Sequence, residues 1–412
     1  MRDTGPVVVV GAGHAALETA AALRAAGHSR PVILVGAESA PPYARPPLSK
    51  GYLTGRVGTE ELWLRPEGFF ARQDVTAVLG DPVVEIDRDS DRVRLASGGR
   101  IAYGTLVLAT GARPRRLSVP GADLDGVLAL RSLRDARELR RALGAGGDVL
   151  VVGGGFIGLE VASAARGLGL RVTVVEAGPR LMGRAVTGTL SAHLAELHRA
   201  EGTRVLLDRE LVALRGERGR VRVAELNDGT RLAADVVVVG IGVLPNTGLA
   251  AQAGLTTGNG VVVDRWLRTG DRNVYAIGDC ARFPTPHAAR PVRLESVQNA
   301  TEQAACVAAA LTGTRRPYTA VPWFWTEQCG VRVQMAGLTG QHDREVVAGS
   351  PAEGRFTVFC FRAGRLVGAE SVNRSADHLI TRRLLAAGGA GPAPDDVARP
   401  GFDLRRHLSP SA

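Results

Sequence analysis

Two short valine-rich runs each close on a glycine-rich turn, and each turn opens onto helix-forming residues. The first reads Val7-Val8-Val9-Val10-Gly11-Ala12-Gly13-His14-Ala15-Ala16-Leu17-Glu18. The second reads Val149-Leu150-Val151-Val152-Gly153-Gly154-Gly155-Phe156-Ile157-Gly158-Leu159-Glu160. A buried strand that turns at once into a helix brings bare backbone to the helix N-terminus. Unpaired N–H groups and the helix dipole favour a phosphate there. One such pattern can be an ordinary packing turn. Two, each in strand–turn–helix context, point to two dinucleotides held by one chain. The economical reason to hold two is to pass a hydride between them.

The second turn carries the full glycine set. Gly153 allows the tight turn, Gly155 the close approach of a pyrophosphate, and Gly158 the packing of helix on strand. A further strand, Arg171-Val172-Thr173-Val174-Val175, ends in Glu176. An acid at that spacing suits a ribose 2′-hydroxyl and repels the extra phosphate of NADP, which favours NADH. Arg180 nearby argues in the other direction. In the first turn Ala16 stands where the pattern prefers a third glycine. The corresponding acid, Glu38, comes a little late, after Ile33-Leu34-Val35-Gly36-Ala37.

At 412 residues the chain has room for about three domains. It lacks an apolar run of the ~18 residues that a membrane helix needs. The first strand begins close behind Met1 and leaves no space for a signal peptide, so a cytoplasmic location is expected. The four cysteines, Cys280, Cys306, Cys329 and Cys360, form no C-x-x-C or C-x-x-x-x-C pair. That spacing argues against disulfides, zinc, a cysteine-held iron–sulfur cluster and dithiol catalysis. The net charge of +10 comes almost wholly from arginine. No nucleic-acid motif or membrane-binding segment accompanies it; an acidic protein partner or a plain solvated surface would each account for it. Lys50 is the only lysine. Either position 50 wants a compact ammonium on a thin stem in place of a planar guanidinium, or one lysine has survived by chance.

The order of patterns predicts a duplicated unit. Pro6 to Gly36 reads as βαβ, Pro41 to Lys50 as a proline-held loop, and Val75 to Leu95 as short strands. Tyr103 to Gly111 reads as a buried strand. The second βαβ is followed by another set of short strands and the buried run Asp235–Gly240. Asn273 to Asp279 reads as a strand returning to the first domain, with a helix from Ser296 to Leu311 after it. Aromatics then cluster at Trp323-Phe324-Trp325, a hairpin is expected from Phe356 to Val372 turning at Ala363-Gly364, and Ala386 to Gly401 reads as a loose connector.

In this order, the motifs resemble the two-dinucleotide flavoproteins. More narrowly they resemble the ferredoxin reductases of bacterial oxygenase systems, of the putidaredoxin reductase and biphenyl dioxygenase reductase type. The most specific pieces are Arg45-Pro46-Pro47-Leu48-Ser49-Lys50 and Phe324-Trp325-Thr326-Glu327-Gln328. Ala109-Thr110-Gly111, Gly240-Ile241-Gly242 with Pro245-Asn246-Thr247, Ile277-Gly278-Asp279-Cys280 and the run Arg293 to Ala300 add to them.

The resemblance implies an α/β fold of two Rossmann-like dinucleotide-binding domains, the second inserted in the first, with a C-terminal α+β domain. The expected boundaries are 1–116 with 244–320 for FAD, 117–243 for NADH and 321–412 for the last domain. It implies FAD contacts at Gly11, Gly13, His14, Ala15, Ala16, Glu38, Arg45, Lys50, Ala109, Thr110, Gly111, Asp279, Val297 and Trp325. Those for NADH are Gly153, Gly155, Phe156, Ile157, Gly158, Glu160, Glu176 and Gly242. Lys50 and Glu160 are expected as a pair beside the flavin ring, and Trp325 near its exposed edge. Core packing is the alternative for Trp325, helix capping for Asp279 and a helix-dipole acid for Glu160. Arg65, Arg315 and Arg316 are candidates to meet an acidic iron–sulfur ferredoxin. Two other functions share the nucleotide motifs: an NADH oxidase or small-molecule reductase, and an NADH-sensing interaction protein with little turnover. The sequence leaves the oligomeric state open.

Overall fold

The computed structural model describes residues 5–389 and 391–408. Val7–Val10 forms a strand in which no residue is more than 4% exposed. Val7 pairs with Val32 on one side and Thr105 on the other. The sheet runs in the order Val274–Ala276, Thr105–Leu108, Val7–Val10, Val32–Gly36, Val75–Leu79, all parallel. Parallel strands need crossovers and are covered on both faces, so these runs are β-branched and apolar without alternation. The strand Val274–Ala276 is the expected return of the chain, and it extends this first sheet. Helix His14–Ala25 packs against helix Val297–Leu311, and Ala15, Ala16, Ala20, Ala300 and Ala304 of the two helices are buried in one core cluster. Small side chains on both helices permit that close approach.

The second parallel sheet is built the same way, in the order Arg204–Leu206, Arg171–Val175, Asp148–Val152, Val236–Val239, Val127–Ala129. The C-terminal sheet is antiparallel, in the order Trp323–Gln328, Val331–Gly337, Arg365–Val372, Arg355–Arg362, Arg344–Ser350. Helix Ser375–Ala387 lies on it. The hairpin turns where expected, with Ala363 and Gly364 at φ 48° and 74°. Positive φ at both turn positions matches the right-handed twist of the two strands.

The chain divides into two compact units. One comprises the residues up to Ala44, Leu62–Arg113 and Leu244–Pro322. The other comprises Arg45–Glu61, Pro114–Val243 and the chain from Trp323 onward.

Two local expectations are corrected. Pro41 to Lys50 is not wholly a loop, because Pro46–Ser49 forms a 3-10 turn closed by Leu48 N–H to Arg45 O and Lys50 N–H to Pro47 O. Proline's fixed φ suits the first positions of a helical turn, so the same prolines that end a helix start this one. Ala386 to Gly401 is also less loose than expected. The preceding helix runs into it as far as Ala387, and Pro394–Val397 makes one helical turn with Pro394 at its start.

Candidate nucleotide-binding sites

In the first unit, the C-terminal ends of four parallel strands gather the candidate residues at one edge of the sheet. Gly11 follows Val7–Val10, Glu38 follows Val32–Gly36, Ala109 follows Thr105–Leu108, and Asp279 follows Val274–Ala276. Ligands of open α/β sheets bind at that edge. Gly11 has φ +131°, and a Cβ there would lie 2.2 Å from Ala109 O, so no other residue fits. Gly13 caps helix His14–Ala25 without any side-chain bond, and a Cβ on it would meet nothing within 4 Å. The Cβ direction of Gly13 therefore meets open space at the N-terminus of this helix. Ala16 is fully buried and serves packing.

The neighbouring turns are locked. Thr110 Oγ1 donates to Asn246 O at 2.7 Å, and Asn246 Nδ2 donates back to Thr110 O at 2.8 Å. Asn246 N–H also donates to Gly111 O at 2.9 Å. The Glu38 carboxylate accepts from Tyr43 Oη at 2.6 Å. Asp279 sits in a 3-10 turn whose Gly278 N–H is held by Gln303 Oε1 at 2.7 Å. Val297 opens the long helix behind the Ser296 cap. Two of the candidate arginines are engaged within this unit: Arg65 pairs with Glu18 at 2.8 Å, and Arg315 lies over the Trp266 ring at 4.1 Å.

The second unit repeats the geometry. Gly153 has φ +101°, and a Cβ on it would lie 2.6 Å from Gly240 O. A Cβ on Gly158 would come within 2.3 Å of Gly153 O, so helix Phe156–Gly167 rests directly on the turn. Gly155 caps that helix with no side chain, and its Cβ direction meets only Gly240 O at 3.7 Å. Glu176 accepts from Gly154 N–H at 2.7 Å and Gly178 N–H at 2.8 Å. Its carboxylate thus lies against the glycine turn at the end of the adjacent strand, where a ribose would sit. Ile157 is 43% exposed at the start of the helix. Gly242 has φ +96°, and its carbonyl accepts from Arg115 N–H. Arg180 is committed elsewhere, donating to Gly183 O, Val186 O and Thr187 O. It is occupied as a loop clasp, which favours NADH over a nucleotide with a 2′-phosphate.

The same unit holds the most strongly organised charge. Lys50 Nζ lies 2.7 Å from Glu160 Oε2, with Glu160 3% and Lys50 19% exposed. Ser49 Oγ donates to the same carboxylate oxygen, and Thr326 Oγ1 donates to Oε1 at 2.6 Å. A buried carboxylate is tolerated because both oxygens are hydrogen-bonded and its charge is matched. Arg45 holds the start of this segment through Arg131 O at 2.5 Å.

Strand Trp323–Gln328 alternates. Phe324 meets Phe156 at 4.7 Å between ring centroids, Thr326 meets Glu160, and Gln328 meets His198. Trp323 and Trp325 pair with each other at 5.6 Å on the other face. Trp325 is therefore not part of the Lys50–Glu160 cluster. Ser49, Thr326, Gln328 and His198 have no role assigned by sequence reasoning, although three of them lie inside quoted motifs. Glu370 escapes sequence reasoning altogether. It is fully buried, accepts from Thr187 N–H, Thr187 Oγ1 and Thr339 Oγ1, and is raised above the ordinary carboxylate range by burial. An acid inside the apolar run Leu366 to Val372 is its only sequence signal.

The pyridine nucleotide-disulphide oxidoreductase family profile matches residues 5–304, and a reductase C-terminal profile matches residues 323–408. The chain belongs to the pyridine nucleotide-disulphide oxidoreductase family. Members use FAD and a nicotinamide dinucleotide, and so does this chain. It is similar to rhodocoxin reductase of Rhodococcus erythropolis, at 48% identity over 97% of this chain and 93% of that one. It is similar in structure to the ferredoxin reductase for the CYP199A2 system from Rhodopseudomonas palustris, with TM-score 0.95 and 45% identity over 98% and 99% of the two chains. The covalent putidaredoxin reductase–putidaredoxin complex gives TM-score 0.94 and 37% identity over 98% and 97%. Despite the family name, all four cysteines here are free, and Cys280 and Cys360 are buried.

Proposed function

We propose that this oxidoreductase passes electrons from NADH through FAD to an acidic iron–sulfur ferredoxin that supplies an oxygenase, in the cytoplasm. The observation that carries the reading is full-length likeness to reductases of such systems, one of them solved in complex with putidaredoxin. No helix among the described residues is long and apolar enough to cross a membrane.

On this reading the FAD-binding domain comprises 1–116 with 244–320, the NADH-binding domain 117–243, and the interface domain 321–412. Gly11, Gly13, His14 and Ala15 hold the FAD pyrophosphate, Glu38 its ribose, and Thr110, Gly111, Asp279 and Val297 the remainder. Gly153, Gly155 and Phe156 hold the NADH pyrophosphate, Gly158 lets the helix rest on that turn, Glu176 takes the adenosine ribose, and Ile157 and Gly242 complete the site. The two dinucleotides supply the hydride and single-electron chemistry when bound, for which no side chain is needed. Lys50 contributes a fixed positive charge, and Glu160 holds it in place. Trp325 marks the side from which electrons leave.

Two half-reactions test this. Bleaching of the flavin by NADH, followed by rapid reduction of ferredoxin and slow reduction of oxygen, is the expected result. Oxygen or a quinone taking electrons faster than any ferredoxin would replace the reading with a small-molecule reductase.

A further inference from the structure

The Lys50–Glu160 pair is the near end of a longer hydrogen-bonded chain within the second unit. Thr326 Oγ1 lies 2.6 Å from Glu160 Oε1, Gln328 Nε2 lies 3.2 Å from Thr326 Oγ1, and His198 Nε2 lies 2.8 Å from Gln328 Oε1. Glu160, Thr326, Gln328 and His198 are all at most 3% exposed. The direction of every proton follows from the ends. Ionised opposite Lys50, the carboxylate only accepts, so the Thr326 hydroxyl donates to it. Its oxygen then accepts, and the only donor on Gln328 is the amide nitrogen. The Gln328 oxygen is left facing His198, whose Nε2 must carry the proton. Burial lowers the affinity of the His198 ring for a second proton, in keeping with that neutral tautomer. All three bonds therefore point toward Glu160.

This array is not a proton exit. His198 is fully buried, so the far end of the chain reaches no solvent. A glutamine amide also passes no proton without changing tautomer. What the array does is fix a rotamer. Helix Phe156–Gly167 presents Phe156, Glu160 and Ser163 along one face, and strand Trp323–Gln328 with Cys329 answers with Phe324, Thr326 and the Cys329 N–H at 2.8 Å from Ser163 Oγ. The helix opened by the second glycine turn is thereby registered against the C-terminal sheet, residue by residue.

We infer that Thr326, Gln328 and His198 are positioning residues for hydride transfer, holding Glu160 so that the Lys50 ammonium occupies one point. The inference rests on the functional reading above, in which Lys50 and Glu160 serve the nicotinamide–flavin step.

Stopped-flow flavin bleaching by saturating NADH, with no ferredoxin present, provides the test. Thr326→Val keeps the shape and removes the donor. It should slow bleaching by about tenfold to a hundredfold, the scale on which sub-ångström misplacement acts. The apparent Kd for NADH should change little, and Thr326→Ser should restore the rate. In a Glu160→Gln background the same Thr326→Val change should cost less than about twofold, since coupled residues are not additive. A Thr326→Val rate within about twofold of wild type, failure of Ser to rescue, or an equal loss in the Glu160→Gln background would each overturn the inference. A second measurement needs no variant to fold. Nitrogen-15 NMR of the histidine rings in the wild-type protein should show His198 neutral with the proton on Nε2 at pH 7, and an Nδ1-protonated or charged ring would equally refute the chain. Should wild-type flavin itself not be bleached by NADH, the functional reading fails instead.

Discussion

Lys50 stands out within the sequence because arginine meets every other need for positive charge in the chain. Its position explains the exception: the ammonium sits at one carboxylate oxygen beside a serine hydroxyl and also donates to Pro46 O at 3.2 Å. A guanidinium is broader and planar and cannot occupy that point. Lys50→Arg is expected to retain fold and FAD but slow flavin bleaching, measured by stopped flow; an unchanged rate would remove Lys50 from the mechanism. Lys50→Met leaves a buried carboxylate without its counter-charge and should cost about 3 kcal/mol in denaturant unfolding. Glu176 predicts a strong preference for NADH over NADPH in steady-state kinetics, and equal efficiency would contradict its assignment. The pairing of Lys50 with Glu160 and the place of Glu176 at the glycine turn were legible because charge type and spacing carry information in one dimension. Thr326, Gln328 and His198 were not, since a hydroxyl or amide means nothing until packing aims it at a carboxylate.

The elements themselves were largely legible. Runs such as Val7–Val10 and Val236–Val239 are too short and too β-branched to be helices, and glycines fix their ends. The return of the chain to the first sheet is also readable, because Asn273 to Asp279 reads as a short buried strand, and Val274–Ala276 pairs with Thr105–Leu108. Weak turns were misread: the prolines at 46 and 47 and at 394 are compatible with both a loop and a helix start, and tertiary contacts decide. The glycine turns yield a prediction that separates fold from cofactor. Gly13→Ala meets no atom and costs only the poorer N-cap, so the apo-protein should unfold within about 1 kcal/mol of wild type while bound FAD, read from the absorbance ratio, falls sharply. Gly158→Ala drives a methyl into Gly153 O and should loosen the second turn, weakening NADH binding with FAD retained. The C-terminal helix carries a pH response. His378 is buried, T-stacked on Trp323 and near Arg382 and Arg332; burial first, then those two arginines, push it down to about 4. An unfolded histidine titrates near ~6.5. Between these values the unfolded chain binds the extra proton, so His378's contribution is complete above about pH 6.5 and is lost as pH falls toward 4. His193 and His198 act in the same direction and His342 in the opposite one. Melting temperature should drop through that window, and His378→Phe should flatten part of the drop; an identical slope would show that the ring does not titrate as described.

For the molecule as a whole, the net charge of +10 and the aromatic pair at Trp323 and Trp325 lead to predictions about ferredoxin reduction on the proposed reading. Encounter with an acidic protein is steered by charge and screened over roughly 8 Å at physiological salt. Reduction of ferredoxin should therefore weaken as salt rises, whereas flavin bleaching within the bound NADH complex should not. Trp325→Ala should damage ferredoxin reduction and spare flavin bleaching. Independence of both from salt and from Trp325 would move the docking surface elsewhere. The solitary lysine has one more consequence. A protease that cleaves only after lysine has a single bond to cut in this chain, and that bond lies beside a side chain 19% exposed and tied to Glu160. The native protein should resist it, and the appearance of two fragments would time the opening of this cluster alone, a clock that the chain carries without any label.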